Sequence, residues 1–113
     1  MSVQRLKTND RMSQAVVHGN TVYLAGQVAS GADVATQTAT ILAQIDGLLA
    51  EVGSDKTKIL SATIWITDMD RFAEMNAVWD AWSKGGHAPA RACVEARLAT
   101  PDYLVEIGII AAI

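Results

Sequence analysis

Arg91, Cys93, Glu95 and Arg97 stand at every second position of one stretch and alternate with Ala92, Val94, Ala96 and Leu98. Period-two alternation specifies a strand with the two sets on opposite faces. A sheet face presenting arginine, cysteine and glutamate reads as an interface with a site in it, because the apolar set is the one expected to pack on helices. Arg91, directly after Pro89-Ala90, has the side chain best suited to grip a carboxylate, since its planar fork offers two parallel charge-assisted hydrogen bonds. The plainer alternative is a salt bridge across an interface, for example to Glu106 of a neighbour.

Glu106 lies between Val105 and Ile107 in an otherwise apolar run. If buried there, its carboxylate needs a partner or a raised pKa; at a strand edge it would simply sit in water. Cys93 is either a reactive thiol or a small buried hydrophobe. Asn76, set among Phe72, Met75 and Trp79, is either a surface helix residue or a polar group aimed at a pocket. Glu95 and Arg97 are read as structural, pairing with each other or across a symmetry axis.

The elements that must position these residues follow from local patterning. Met12 to His18 and Thr21 to Gln27 form a hairpin about Gly19-Asn20. Val34, Thr38, Ile41, Leu42, Ile45, Leu48, Leu49 and Val52 recur at helical spacing, with Asp33 as N-cap and Gly53 closing the helix. Ile59 to Thr67 alternates as a strand with Leu60, Ala62, Ile64 and Ile66 on one face. Asp70 is expected to cap a second helix carrying Phe72, Met75, Val78, Trp79 and Trp82, closed by Lys84 and Gly85-Gly86. Strands from Ala90 to Leu98 and from Leu104 to Ile110 follow, joined through a Thr100-Pro101-Asp102 turn. This order predicts an α+β fold, one sheet with two helices packed on one face. Ser61, Thr63, Trp65, Arg91, Cys93, Glu95, Arg97, Glu106 and Ile110 are then expected on the open face, too apolar for water and too charged for a plain core. Burial between subunits around a polar cavity reconciles the two.

With 113 residues, half of them hydrophobic, the chain reads as a single domain over residues 1–113 with one core. A net charge of -3 and a pI near 5.2 lack the basic footprint of a nucleic-acid binder. The N-terminus lacks the apolar core of a signal peptide, and the longest apolar stretch, near Leu104 to Ile113, is too short to span a bilayer and is interrupted by Glu106, so a cytoplasmic address is expected. One cysteine excludes an intramolecular disulfide, and His18 and His87 are too far apart in sequence for metal-ligand spacing, so no metal is expected.

The same residues carry a family resemblance over nearly the whole chain. The markers are V-Y-L-A-G-Q at Val22 to Gln27, Gln37-Thr38, I-L-S-A-T-I-W-I-T-D-M at Ile59 to Met69, M-N-A-V-W at Met75 to Trp79, P-A-R-A-C-V-E at Pro89 to Glu95 and V-E-I at Val105 to Ile107. In this order they resemble the Rid (YjgF-type, RidA-like) reactive-intermediate deaminases, most closely the YoaB-like branch. The resemblance implies a chorismate-mutase-like fold and a homotrimer with sheets facing inward and sites in the inter-subunit clefts. It also implies cofactor-independent hydrolysis of enamines and imines, such as 2-aminoacrylate, to 2-keto acids and ammonia.

By the same resemblance, Arg91 binds the substrate carboxylate and Glu106 positions the attacking water. Cys93, Asn76 and Gly26 are further pocket positions. The sequence departs from the better-studied branch at Met12, where an aromatic pocket residue is usual, at Ala25, where a serine is usual, and at Gly108, where a second glutamate follows. The strand after Arg91 is also one residue shorter before its turn. Two other functions stand against deamination: a trimer that binds small carboxylates without turning them over, and an endoribonuclease, which the acidic balance disfavours.

Overall fold

A computed structural model describes all of residues 1–113. Its six strands are β1 (Val3–Thr8), β2 (Ser13–His18), β3 (Thr21–Leu24), β4 (Ile59–Ile66), β5 (Ala90–Glu95) and β6 (Val105–Ala112). They form one sheet in the order β1-β2-β3-β6-β4-β5. Only β4 and β5 run parallel, because the chain crosses from one to the other through a helix rather than a hairpin. Helices α1 (Val34–Glu51) and α2 (Phe72–Ser83) pack together on one sheet face, the α+β arrangement expected. The N-terminal strand β1 was not foreseen. Its residues are mostly exposed and show no one-sided apolar alternation, so no sequence signal marks it.

The core forms where the apolar stripe of α1 meets the inward positions of β4 and β6. Ile41, Leu42, Ile45 and Leu49 join Met75 and Trp79 of α2 and Ala62, Ile64, Ile66, Val105, Ile107 and Ile109 of the sheet. Caps set the helix ends: the Asp33 side chain accepts from the Thr36 amide at the start of α1, and Gly53 beyond its end takes φ 77. The hydrogen bonds from Thr36 hold the Asp33 carboxyl below its ordinary pKa. Before α2 the capping differs from expectation. Asp68, not Asp70, accepts a backbone N–H, that of Asp70 itself, and a short 3-10 turn at Met69–Arg71 leads into the helix.

A second departure lies at the start of β4. Ile59 pairs with Ala111 but Ser61 with Ile110, so Leu60 is an extra residue in a bulge. The phase slips by one there: Ile59 is buried and Leu60 is 52 % exposed, instead of sharing the face of Ala62, Ile64 and Ile66.

Gln37 ties the loops to this frame. It is fully buried, donates to the carbonyls of Gly31 and Asp102 at 3.1 and 2.9 Å and accepts from the Leu104 amide at 2.9 Å. Gln37→Ala leaves a buried N–H and two carbonyls short of partners, so chemical denaturation should show a loss of about 3 kcal/mol.

Candidate functional site

The register of β5 corrects the face on which the charged residues were expected. Arg91, Cys93 and Glu95 pair with Ala62, Ile64 and Ile66 of β4, and those partners are buried under the helices. Paired residues point to the same side of a sheet. Arg91, Cys93 and Glu95 therefore lie on the helix side, while Ala92 and Val94 join Thr63 and Trp65 on the open face. Glu95 accepts from the Met69 amide at 2.9 Å, which anchors the turn before α2. Arg97 lies beyond the end of the strand and pairs with no carboxylate.

Arg91 emerges at the rim where β5 meets α2. Its guanidinium carbon is 5.3 Å from the centre of the Trp79 ring and 5.8 Å from that of Phe72, within reach of both aromatic quadrupoles. No carboxylate pairs with it. Phe72, Asn76 and Trp79 follow at helical spacing and share one face of α2. Between the two rings in sequence, the Asn76 Oδ1 is buried and accepts no hydrogen bond, an arrangement that proteins seldom leave unfilled. Cys93 packs against the core beside this rim. Burial pushes its thiol up, against a smaller opposing pull from Arg91, so it stands there as a neutral thiol rather than a nucleophilic thiolate.

Glu106 occupies the open face, as expected, directly across from Trp65. Its carboxylate rests on Gly26: a Cβ placed on that glycine would lie 2.0 Å from Glu106 Oε2 and 2.9 Å from its carboxyl carbon. The segment bearing Gly26 is held firmly. Gln27 and Ile107 exchange backbone hydrogen bonds at 2.8 and 3.1 Å, and Gln27 is buried and bonded to Gln14 and Gln44. Ala25 donates its amide to the Gln14 carbonyl, and Met12 is 40 % exposed just before β2. Gly108 leaves room for the Trp65 indole, whose ring edge would stand 3.3 Å from a Cβ there. Gly26→Ala must displace the Glu106 side chain, since the Gln27–Ile107 hydrogen bonds hold the two backbones together. Chemical denaturation should show its stability changed by less than about 1 kcal/mol, because the clash ends on a movable side chain.

Within one chain Arg91 and Glu106 do not meet. Arg91 and Glu106 lie on opposite sheet faces, about 14 Å apart at Cα from two strand spacings of about 4.8 Å and three residues of about 3.3 Å rise. The structure thus groups Arg91, Cys93 and Asn76 at one rim, and Glu106, Gly26 and Ala25 at another place. The aromatic seat of Arg91 is not legible in the sequence, although the spacing of Phe72, Asn76 and Trp79 signals a shared face; Phe72 reads there as an apolar helix position and Trp79 as a core or interface aromatic. A cavity of about 870 Å³ lined by Thr67, Arg97, Thr100 and Tyr103 at the β5 to β6 connection includes neither Arg91 nor Glu106. No cluster of histidine, cysteine and carboxylate side chains suited to a metal exists in the chain, and no helix is long and apolar enough to cross a membrane.

The family model described as Endoribonuclease L-PSP matches residues 2–113. The RutC family protein YoaB of Escherichia coli is 47% identical over 114 residues, covering 100% of both chains. The chain belongs to the YjgF/RidA-like family, in its YoaB-like branch. Solved Rid structures superimpose closely. NMB1025 of Neisseria meningitidis, a member of the YjgF protein family, has a TM-score of 0.97 at 51% identity, covering 99% of this chain and 95% of that one. Rv2704 of Mycobacterium tuberculosis, from the YjgF/YER057c/UK114 family, has a TM-score of 0.90 at 29% identity, covering 99% and 100%. The Rid fold therefore spans the whole sheet, including the unforeseen β1, and the expected chorismate-mutase-like architecture holds.

Proposed function

We propose that this Rid protein hydrolyses reactive 2-imino and enamino acids to 2-keto acids and ammonia, as a homotrimer with its sites between subunits. The observation that carries the reading is Arg91: a guanidinium with no anionic partner in its own chain, seated on two aromatic rings of the helix face that also carries Asn76, whose buried oxygen accepts no hydrogen bond from the chain. A cation so presented is complementary to a carboxylate. The open face supports the assembly. Tyr23, Leu60, Val94 and Ile110 are all large, apolar and at least 36 % exposed there or at its margin, a patch that suits a second copy better than water.

In the proposed site Arg91 anchors the substrate carboxylate, and Glu106 of the partner subunit comes from across the cleft. Glu106 orients a water and accepts its proton as oxygen bonds to the imine carbon. The π pair of the C=N bond moves onto nitrogen, which takes a proton to give a carbinolamine. A second proton on that nitrogen lets the C–N bond break, and ammonia leaves as the hydroxyl gives up its proton to form the keto acid. An enamine first shifts a proton from nitrogen to carbon to become the imine. The imine carbon is already electrophilic, so the reaction as written calls for no metal or organic cofactor. Gly26 and Ala25 line the Glu106 side, Asn76 and Cys93 the Arg91 side, and Met12 the entrance.

The test generates imino acids in situ with an amino-acid oxidase or a pyridoxal-phosphate lyase and follows their loss with a semicarbazide trap. Faster imine loss and matching ammonia release are expected. Stabilisation by small carboxylates without any acceleration would instead establish a binding trimer.

A further inference from the structure

We infer that Trp79 and Phe72 are positioning residues for Arg91, fixing its guanidinium so that the chain binds 2-keto and 2-imino carboxylates tightly. The inference rests on the carboxylate-anchoring reading of Arg91 and deepens it.

Arg91 is exposed on an edge strand. A long side chain there is expected to sample several rotamers, and ordering it on binding weakens affinity. An arginine in a binding site is commonly held by a carboxylate, but such a partner would occupy the donors that the ligand needs. Here the orienting contacts are ring faces, at 5.3 Å for Trp79 and 5.8 Å for Phe72. A ring attracts the cation without a hydrogen-bond acceptor of its own, so these contacts leave the guanidinium N–H donors unspent. The rings are themselves held. Trp79 is 3 % exposed, and its ring lies 5.3 Å from that of Trp82. The Trp82 indole donates to both Asp46 carboxylate oxygens at 3.1 and 3.2 Å, which ties α2 to α1. A chain of contacts thus runs from the helix pair to the guanidinium.

This arrangement acts on binding rather than on bond making. Removing a ring should raise KM for 2-imino acids and the Kd of the unreactive 2-keto acid product by the same factor, about tenfold, and leave kcat within about threefold.

The experiment measures the Kd of a 2-keto acid by calorimetry, with KM and kcat, for wild type, Arg91→Ala, Phe72→Leu, Trp79→Leu and Trp79→Phe. Thermal melts and light scattering identify the folded proteins. Phe72 is only partly buried, so Phe72→Leu keeps the test alive where Trp79→Leu does not fold. Weaker binding in Arg91→Ala and Phe72→Leu, with near wild-type binding in Trp79→Phe, supports the inference. If Arg91→Ala binds as wild type, the carboxylate reading itself fails. If Arg91→Ala loses binding while a folded Phe72→Leu does not, the positioning role is overturned. Loss in Trp79→Phe as deep as in Trp79→Leu also overturns it, because that pattern reports packing volume and not a ring face.

Discussion

Arg91→Ala is expected to lose a hundredfold or more in kcat/KM toward 2-imino acids, roughly the worth of two charge-assisted hydrogen bonds to a carboxylate. The fold should be nearly indifferent. Arg91 is exposed and joins no ion pair in the protomer, so its removal exposes no buried charge, and the melting temperature should move by less than about 3 °C. Arg91→Lys is a sharper version of the same test: it keeps the charge and loses the fork, so its activity should fall between the two. The semicarbazide assay reads both variants. An Arg91→Ala protein that turns over imino acids as wild type would end the carboxylate-anchor reading, because Arg91 is the one cationic residue of β5.

Mixing two inactive variants should restore activity. Because Arg91 and Glu106 lie on opposite faces of one sheet, a site that uses both must take them from different protomers. Arg91→Ala and Glu106→Gln should each be inactive alone. Refolded together in equal amounts, they place an intact Arg91 against an intact Glu106 at one interface in four, so about a quarter of wild-type activity should return in randomly mixed trimers. Light scattering before and after mixing checks that trimers form. No recovery from mixed trimers of the right size would show that the two residues do not share a site. Gly26→Ala extends the logic, since its expected defect lies on the Glu106 side: it should complement Arg91→Ala by the same factor and fail to complement Glu106→Gln.

Both experiments depend on a point where pattern and structure diverge. Alternation in β5 separates Arg91, Cys93 and Glu95 from Ala92 and Val94, but it carries no sign telling which set faces the helices. The natural assumption sends the apolar set inward, and here the opposite holds. β5 is an edge strand, and its helix-side positions lie at the rim of α2, where a long side chain can run along ring faces with its charged end outside. Small apolar residues then face outward, with Val94 47 % exposed, which an oligomer can use. The bulge at Leu60 is a similar case, since the slip is a property of the pairing with β6 and not of β4 alone.

What the residues determined by themselves was local or central. The two-residue turn at Gly19-Asn20, the Asp33 cap, the stripe of α1 and the alternation of β6 each arise from neighbours in sequence, and all stand in the structure. Glu106 was legible as an open-face carboxylate because β6 lies mid-sheet, where both flanking strands enforce one phase. Tertiary structure alone decided the inward turn of Arg91, its seat on Trp79 and Phe72, the contact of Glu106 with Gly26 and the placing of Arg91 and Glu106 on opposite sheet faces. Each depends on how distant segments register against one another, and strand pairing and helix placement set that register over separations that no local period records.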